Sequence, residues 1–447
     1  MKLWQQSTVS SAWTEAVQAF TTGLDREMDL MLAPYDVLGS LAHLAMLEQV
    51  GLVSATEALA LKQALQAIYQ EIAAGQFELE SGAEDVHSQI EMLLTRRVGE
   101  AGKKIHTGRS RNDQVLVDLK LLFRAEIGQI VAKVKVLFDQ LLAKSAVHAQ
   151  DLIPGYTHFQ VAMPSSVGLW LGAYAEGLSE DLFSMQAAFR LAQKNPLGSA
   201  AGYGSSFPLD RDLTTALLGF EAPHVNSVAA QMARGKTERA LAQAMGNLAA
   251  TLGKFSADCC LFMGQNFGFI AFPDALTTGS SIMPHKKNPD VFEIARARCN
   301  SLQALPNEIA LITSNLPSGY HRDFQVLKEK LFPAFQVLKD CLDMIGLMVE
   351  NMQVKQDILA DARYRYVFTV ESVNQLVLSG LPFREAYHQV SQEVTAGTYQ
   401  PAPMLPHTHL GSIGNLGNDR IAAGMEAVLG GFGFERVLAA EEALLLR

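Results

Sequence analysis

Apolar positions recur every third or fourth residue along four long stretches of this chain. The first runs Leu116, Leu119, Phe123, Ile127, Ile130, Val134, Leu137, Leu141, about seven helical turns. The second runs Val167, Leu171, Tyr174, Leu178, Leu182, Met185, Phe189, and the third Leu241, Met245, Leu248, Leu252, Phe255, Cys259, Phe262. Leu327, Leu331, Leu338, Cys341, Ile345 and Met348 form the fourth. Such spacing puts the apolar side chains on one face of a helix, and at this length it predicts nearly parallel helices packed as a bundle. Strand-like alternation is nearly absent, so the predicted fold class is all-α. Residues 240–262 carry only two formal charges. A helix apolar on most sides is buried deep in a large domain or between subunits, which predicts a homo-oligomer.

Punctuation by glycine and proline divides the chain into three predicted parts. Residues 1–105 form a small N-terminal helical domain, 106–350 the central long-helix bundle, and 351–447 a smaller C-terminal helical domain. Within the last, the Gly- and Pro-rich segment 397–417 reads as loops between shorter helices.

Composition narrows the function classes. The chain has 447 residues, 49% of them apolar, enough for a large core. Its net charge is −10 and no basic stripe appears, which argues against nucleic acid as a partner. No apolar run approaches twenty residues and no signal-peptide pattern opens the chain, so a cytoplasmic protein away from the membrane is expected. Cys259, Cys260, Cys299 and Cys341 lack metal-ligand or disulfide-framework spacing and are expected as reduced thiols. His87, His106, His158 and His285 lie in separate segments, and His407-Thr408-His409 is a weak two-ligand match, so neither metal nor organic cofactor is expected. An acidic protein with an anionic substrate needs a local positive site, for which Lys103, Lys104, Arg109, Arg111, Lys286 and Lys287 are candidates.

Five polar segments interrupt the helices. Residues 277–290 hold Gly279, Ser280, Ser281, Lys286, Lys287, Asn288 and two prolines, the makings of a mobile loop that closes over a carboxylate. His106-Thr107-Gly108-Arg109-Ser110-Arg111-Asn112-Asp113-Gln114 precedes the first long helix, where backbone N–H groups and arginine forks suit an anion. Pro154-Gly155-Tyr156-Thr157-His158-Phe159-Gln160 reads as the break between two long helices. Glu84-Asp85-Val86-His87, by itself, reads as an exposed helix start. The segment 320–328 holds Tyr320, His321, Arg322, Gln325 and Lys328.

Together these segments resemble the argininosuccinate lyases of the fumarase/aspartase superfamily, whose relatives include the delta-crystallins of lens. The likeness covers essentially the whole chain. It implies a homotetramer in which three subunits contribute to each active site, and a β-elimination releasing fumarate and L-arginine from argininosuccinate. Ser280 and His158 are implied as the proton-transfer pair, with Ser280 at carbon, His158 the acid for the departing guanidine, and Glu293 polarising the histidine. Lys286 and Asn288 are implied to take the charge of the aci-carboxylate. Asp29, Asp85, Arg111, Asn112, Thr157, Tyr320, Gln325 and Lys328 are implied to bind the substrate. A lyase for another N-substituted succinate, such as adenylosuccinate, and a non-catalytic crystallin-like protein are the alternatives. Departures from the family pattern fall at Trp4-Gln5-Gln6-Ser7, at Asp25 where a serine is usual, at Met232-Ala233-Arg234-Gly235, and at His285.

Overall fold

The computed structural model describes residues 12–401 and 403–446; the Trp4 to Ser7 departure lies outside them. Five helices come first: α1 (Ala12–Thr22), α2 (Asp25–Asp29), α3 (Ala33–Gln49), α4 (Ala55–Ala73) and α5 (Val86–Val98). The bundle follows, beginning with α6 (Arg111–Val147), a helix of 37 residues. A hairpin of β1 (Leu152–Thr157) and β2 (Gln160–Ser166) leads into α7 (Val167–Ala192). After the short α8 (Arg211–Leu217) and α9 (Ser227–Met232) come α10 (Lys236–Met263), α11 (Asp290–Leu302), α12 (Leu305–Ile312) and α13 (Val326–Glu350). The chain closes with α14 (Thr369–Leu378), α15 (Phe383–Ala396), α16 (Asn418–Gly430) and α17 (Phe434–Leu446).

The four apolar stripes are the seams of this bundle. Helix α6 packs on α7 and α13, while α10 packs on α7, α11 and α13. Every stripe residue is buried except Tyr174, which is half-buried. Its phenol donates to Asp258 Oδ2 at 2.6 Å, and Trp170 Nε1 donates to the same oxygen at 3.1 Å, so both rings bury their apolar bodies and keep their polar ends paired. Gly168 sets the α6–α7 contact: a Cβ there would lie 2.5 Å from the Ser145 carbonyl oxygen. Lys120 is buried on α6 and donates to the Leu191 carbonyl (2.5 Å) and Thr237 Oγ1 (3.2 Å), tying three bundle helices together.

Side-chain caps fix where the helices begin. Ser110 and Asp113 form a capping box at the head of α6, Asp85 accepts from Ser88 N (2.7 Å) at α5, and Ser166 accepts from Leu169 N (3.0 Å) at α7. A second apolar cluster joins α3, α4 and α5 to α6 through residues such as Leu41, Leu65, Leu94 and Val117. At the other end of the chain, α16 lies against α7, and α17 against α3 and α8. The segment Ala19–Gln49 is apolar enough by length and composition to cross a membrane, but it is largely buried among the other helices, as a core segment is. All four cysteines are free thiols on helices.

One expectation fails here. Residues 154–160 do not simply break one helix and start the next; they form the turn end of the β1–β2 hairpin, which is paired antiparallel from Leu152↔Ser166 to Thr157↔Gln160. Proline within β1 and the shortness of both strands hide the alternation that would have signalled it.

Leu182→Ala, which empties a fully buried site, is expected to cost about 2–5 kcal/mol in denaturant unfolding, against under about 0.5 kcal/mol for Glu180→Ala on the exposed face. Stability also depends on acid. Burial, together with Lys120, Lys194, Arg211 and Lys236, holds the His224 imidazole down to about 4. Between its ordinary value and about 4 the unfolded chain binds a proton that the folded chain refuses, so stability falls as pH falls through that window. The thermal midpoint should drop on acidification, and more shallowly in His224→Gln.

Candidate active site

The head of α6 and the head of α13 face the short helix α2 across a cavity of about 180 Å³. Arg111 spreads its fork over three partners: Nε donates to Asp85 Oδ2 (3.1 Å), Nη1 to Gln114 Oε1 (2.9 Å) and Nη2 to Ser88 Oγ (3.0 Å). Asn112, one residue on, donates to the Ala201 carbonyl at 3.3 Å. Burial alone would raise the Asp85 carboxyl, but His87, Arg111 and the Ser88 donors hold it below its ordinary value. Opposite, buried Lys328 reaches Asp25 Oδ1 at 2.5 Å and also pairs with Asp29. Those two carboxylates outweigh burial and keep the ammonium above its usual range. Gln325 Nε2 donates to Asp25 Oδ2 at 3.0 Å.

Seven of the eight residues expected to bind substrate line this one cavity: Asp29, Asp85, Arg111, Asn112, Tyr320, Gln325 and Lys328. Thr157 does not. It stands exposed on the hairpin beside His158, away from the cavity. His158 and Phe159 occupy the turn with φ of +53° and +58°, a left-handed pair that non-glycine residues adopt at a cost of roughly 1–3 kcal/mol each. Tyr156 anchors the hairpin edge-on to Phe267, with ring centroids 5.6 Å apart.

The loop after α10 forms a third cluster. Ser280 Oγ accepts from two backbone amides, Ile282 N (3.3 Å) and Met283 N (3.1 Å). Asn288 braces the base of the loop, donating from its backbone to the Thr278 carbonyl (2.8 Å) and from Nδ2 to Thr278 Oγ1 (3.2 Å) and the Gly279 carbonyl (3.3 Å). Lys287 is paired with Asp274, whereas Lys286 is exposed and has no ion pair among the described residues. Glu293 lies exposed in the first turn of α11. Within one chain, then, cavity, hairpin tip and loop are separate.

The expected positive site is smaller than six residues. Lys103 pairs with Glu100, Lys104 pairs with Glu57, and Arg109 is buried with its Nη1 on Ser40 Oγ at 3.0 Å, so of the four basic residues between 103 and 111 only Arg111 lines the cavity. Arg234 and Arg322 line it too, and neither was anticipated as a ligand-binding group. Arg322 sits inside the 320–328 segment, which was its only signal. Arg234 is tied to Glu238 (3.0 Å) and the Phe324 carbonyl (3.0 Å). Its neighbour Gly235 has φ +76° and a Cβ there would meet Thr313 at 2.7 Å, so the glycine of that departure meets a local steric demand.

A family model described as a lyase matches residues 8–303. The chain is 56% identical over 444 residues to the argininosuccinate lyase of Parabacteroides distasonis, covering 99% of both chains. It is 54% identical over 446 residues to that of Phocaeicola vulgatus, covering 100% of this chain and 99% of the other. The chain belongs to the argininosuccinate lyase family. The fold extends further: an EDDS lyase variant with bound fumarate superposes with a TM-score of 0.76 at 20% identity, over 98% of this chain and 95% of that one. An argininosuccinate lyase relative of this kind is a carbon–nitrogen lyase, and the all-α multi-helix fold expected from the stripes is the fold of these lyases.

Lys328→Met would leave Asp25 and Asp29 buried side by side without their cation. A loss of about 3–5 kcal/mol in denaturant unfolding at neutral pH is expected, since breaking a buried pair strands a charge.

Proposed function

We propose that the chain cleaves argininosuccinate reversibly to L-arginine and fumarate, and does so by paired proton transfer. The observation that carries this reading is identity above half, end to end, with argininosuccinate lyases, in a chain that gathers seven anticipated ligand-binding residues into one cavity. The cavity sets acids (Asp25, Asp29, Asp85) beside bases (Arg111, Arg234, Lys328), a pattern suited to a zwitterionic amino-acid end and the carboxylates of a succinate.

Elimination breaks a C–H bond next to a carboxylate; its electron pair becomes the new C=C bond as the C–N bond breaks. Ser280 takes the carbon proton. An alcohol is a poor base unless its alkoxide is stabilised, and the two amides on Ser280 Oγ supply preorganised donors for that charge. Lys286, uncommitted to any ion pair among the described residues, neutralises the doubly negative carboxylate when the loop closes. Asn288 holds the loop's shape and presents its amide beside the same carboxylate. His158, displayed at the hairpin tip, protonates the leaving guanidine, with Glu293 polarising it and Thr157 positioning the other carboxylate.

Three clusters held apart in one chain need other copies to complete them. The active unit is a homotetramer in which three chains supply the cavity, the hairpin and the loop. Large apolar side chains left exposed on the bundle, among them Val136, Phe183 and Leu311, suit such an assembly.

Ser280→Ala should keep fold and assembly but lose at least about a thousandfold in fumarate release, followed by ultraviolet absorbance with argininosuccinate and adenylosuccinate offered separately. A near-normal rate in the variant would remove Ser280 from the mechanism. Wild-type release from adenylosuccinate alone would overturn the substrate.

A further inference from the structure

Asp36, His87 and Asp118 take no part in the reaction described above, yet they meet in the interior. Asp36 lies in the first turn of α3, His87 in the first turn of α5 and Asp118 early in α6; each is at most 1% exposed. One donor atom from each falls within 4.8 Å of the others. His87 Nδ1 is 3.1 Å from Asp36 Oδ1 and 3.4 Å from Asp118 Oδ2.

The polar atoms here are left without hydrogen bonds. Both ring nitrogens of His87, both oxygens of Asp118 and Oδ2 of Asp36 lack a partner of acceptable geometry. Asp118, with both oxygens buried and without a hydrogen bond, is a costly arrangement in a protein interior unless a positive group joins it. Arg109, buried alongside, is shared among Asp36, Asp113 and Asp118.

The geometry suits a metal ion. Ligands at about 2.0–2.2 Å in a tetrahedron stand roughly 3.3–3.5 Å apart, close to the two distances from His87 Nδ1. Gln114 Nε2 donates to Asp36 Oδ1 at 2.6 Å and orients that carboxylate, as outer partners of metal ligands do. A gap of about 10 Å³ lies on the Asp36–His87 side of the cluster, where Ser40, Gln114, His106, Arg109 and Arg111 also line it, and is about the size of one water. One imidazole nitrogen and two carboxylate oxygens form a donor set for a divalent first-row metal such as zinc.

We propose that Asp36, His87 and Asp118 bind a divalent metal ion, one per chain, as a structural clip joining α3, α5 and α6. His87 lies two residues from Asp85, so the clip would fix the Asp85–Arg111 side of the cavity without touching substrate. It stands independently of which substrate the lyase takes.

The test uses the full-length assembled protein, stripped with a chelator, loaded with excess zinc and desalted. Elemental analysis should find about one zinc per chain, and the thermal midpoint should rise by roughly 5 °C over the stripped protein. His87→Gln and Asp118→Asn should each retain under about a fifth of that zinc and show no zinc-dependent rise, while His409→Asn, in the exposed C-terminal loop, should bind as the wild type does. Wild-type retention below about a tenth of an ion per chain with an unmoved midpoint would overturn the proposal. Undiminished zinc in His87→Gln would equally overturn it. Should Asp118→Asn fail to fold, wild type and His87→Gln decide.

Discussion

A helix of 37 residues is about 55 Å long, and packing of its apolar face supplies most of its stability. Helix α6 exists because its apolar stripe is buried on α7 and α13, and the rest of the molecule follows from that requirement. Burying a seam of this length forces neighbours of comparable length, and these fix the bundle axis. Functional groups are then driven to the ends, where caps and loops interrupt the apolar pattern. The head of α6 illustrates it: the Ser110–Asp113 capping box settles the first turn, and Arg111 and Asn112 are thereby aimed into the cavity.

The cavity itself is an electrostatic compromise between distant parts of the chain. Lys328 opens α13 and Asp25 and Asp29 lie on α2, so their buried pairing locks the N-terminal segment onto the bundle. Asp25 is where this chain departs from its family's usual serine, and the structure gives the departure a place: it doubles the negative charge on Lys328 and receives the Gln325 amide. The ammonium is therefore satisfied within the protein, by two carboxylates. Arg111 and Arg234 on the other walls provide the cationic counterpart.

Much of this was legible in the residues. The four stripes gave the long helices because a period of 3.6 leaves a strong signal over several turns. The cavity residues were legible through their resemblance to a family; nothing in local spacing would have joined Asp29, Asp85 and Lys328. Other features had no local signal. Lys103 and Lys104 looked available until the fold brought Glu57 to one and left Glu100 beside the other. The β1–β2 hairpin was masked by the Pro154-Gly155 pair, which marks a helix break as readily as a strand bend. Asp36, His87 and Asp118 are scattered through the sequence, and only packing makes neighbours of them.

The hairpin tip carries a further implication. Two successive left-handed residues make a tight turn for which asparagine followed by glycine is the comfortable choice. This chain instead keeps His158 and Phe159 there, at φ +53° and +58°, with the phenyl ring 87% exposed. A sequence shaped by folding alone would drift toward the relaxed pair. The turn thus holds backbone strain in order to display that imidazole and that ring at the surface.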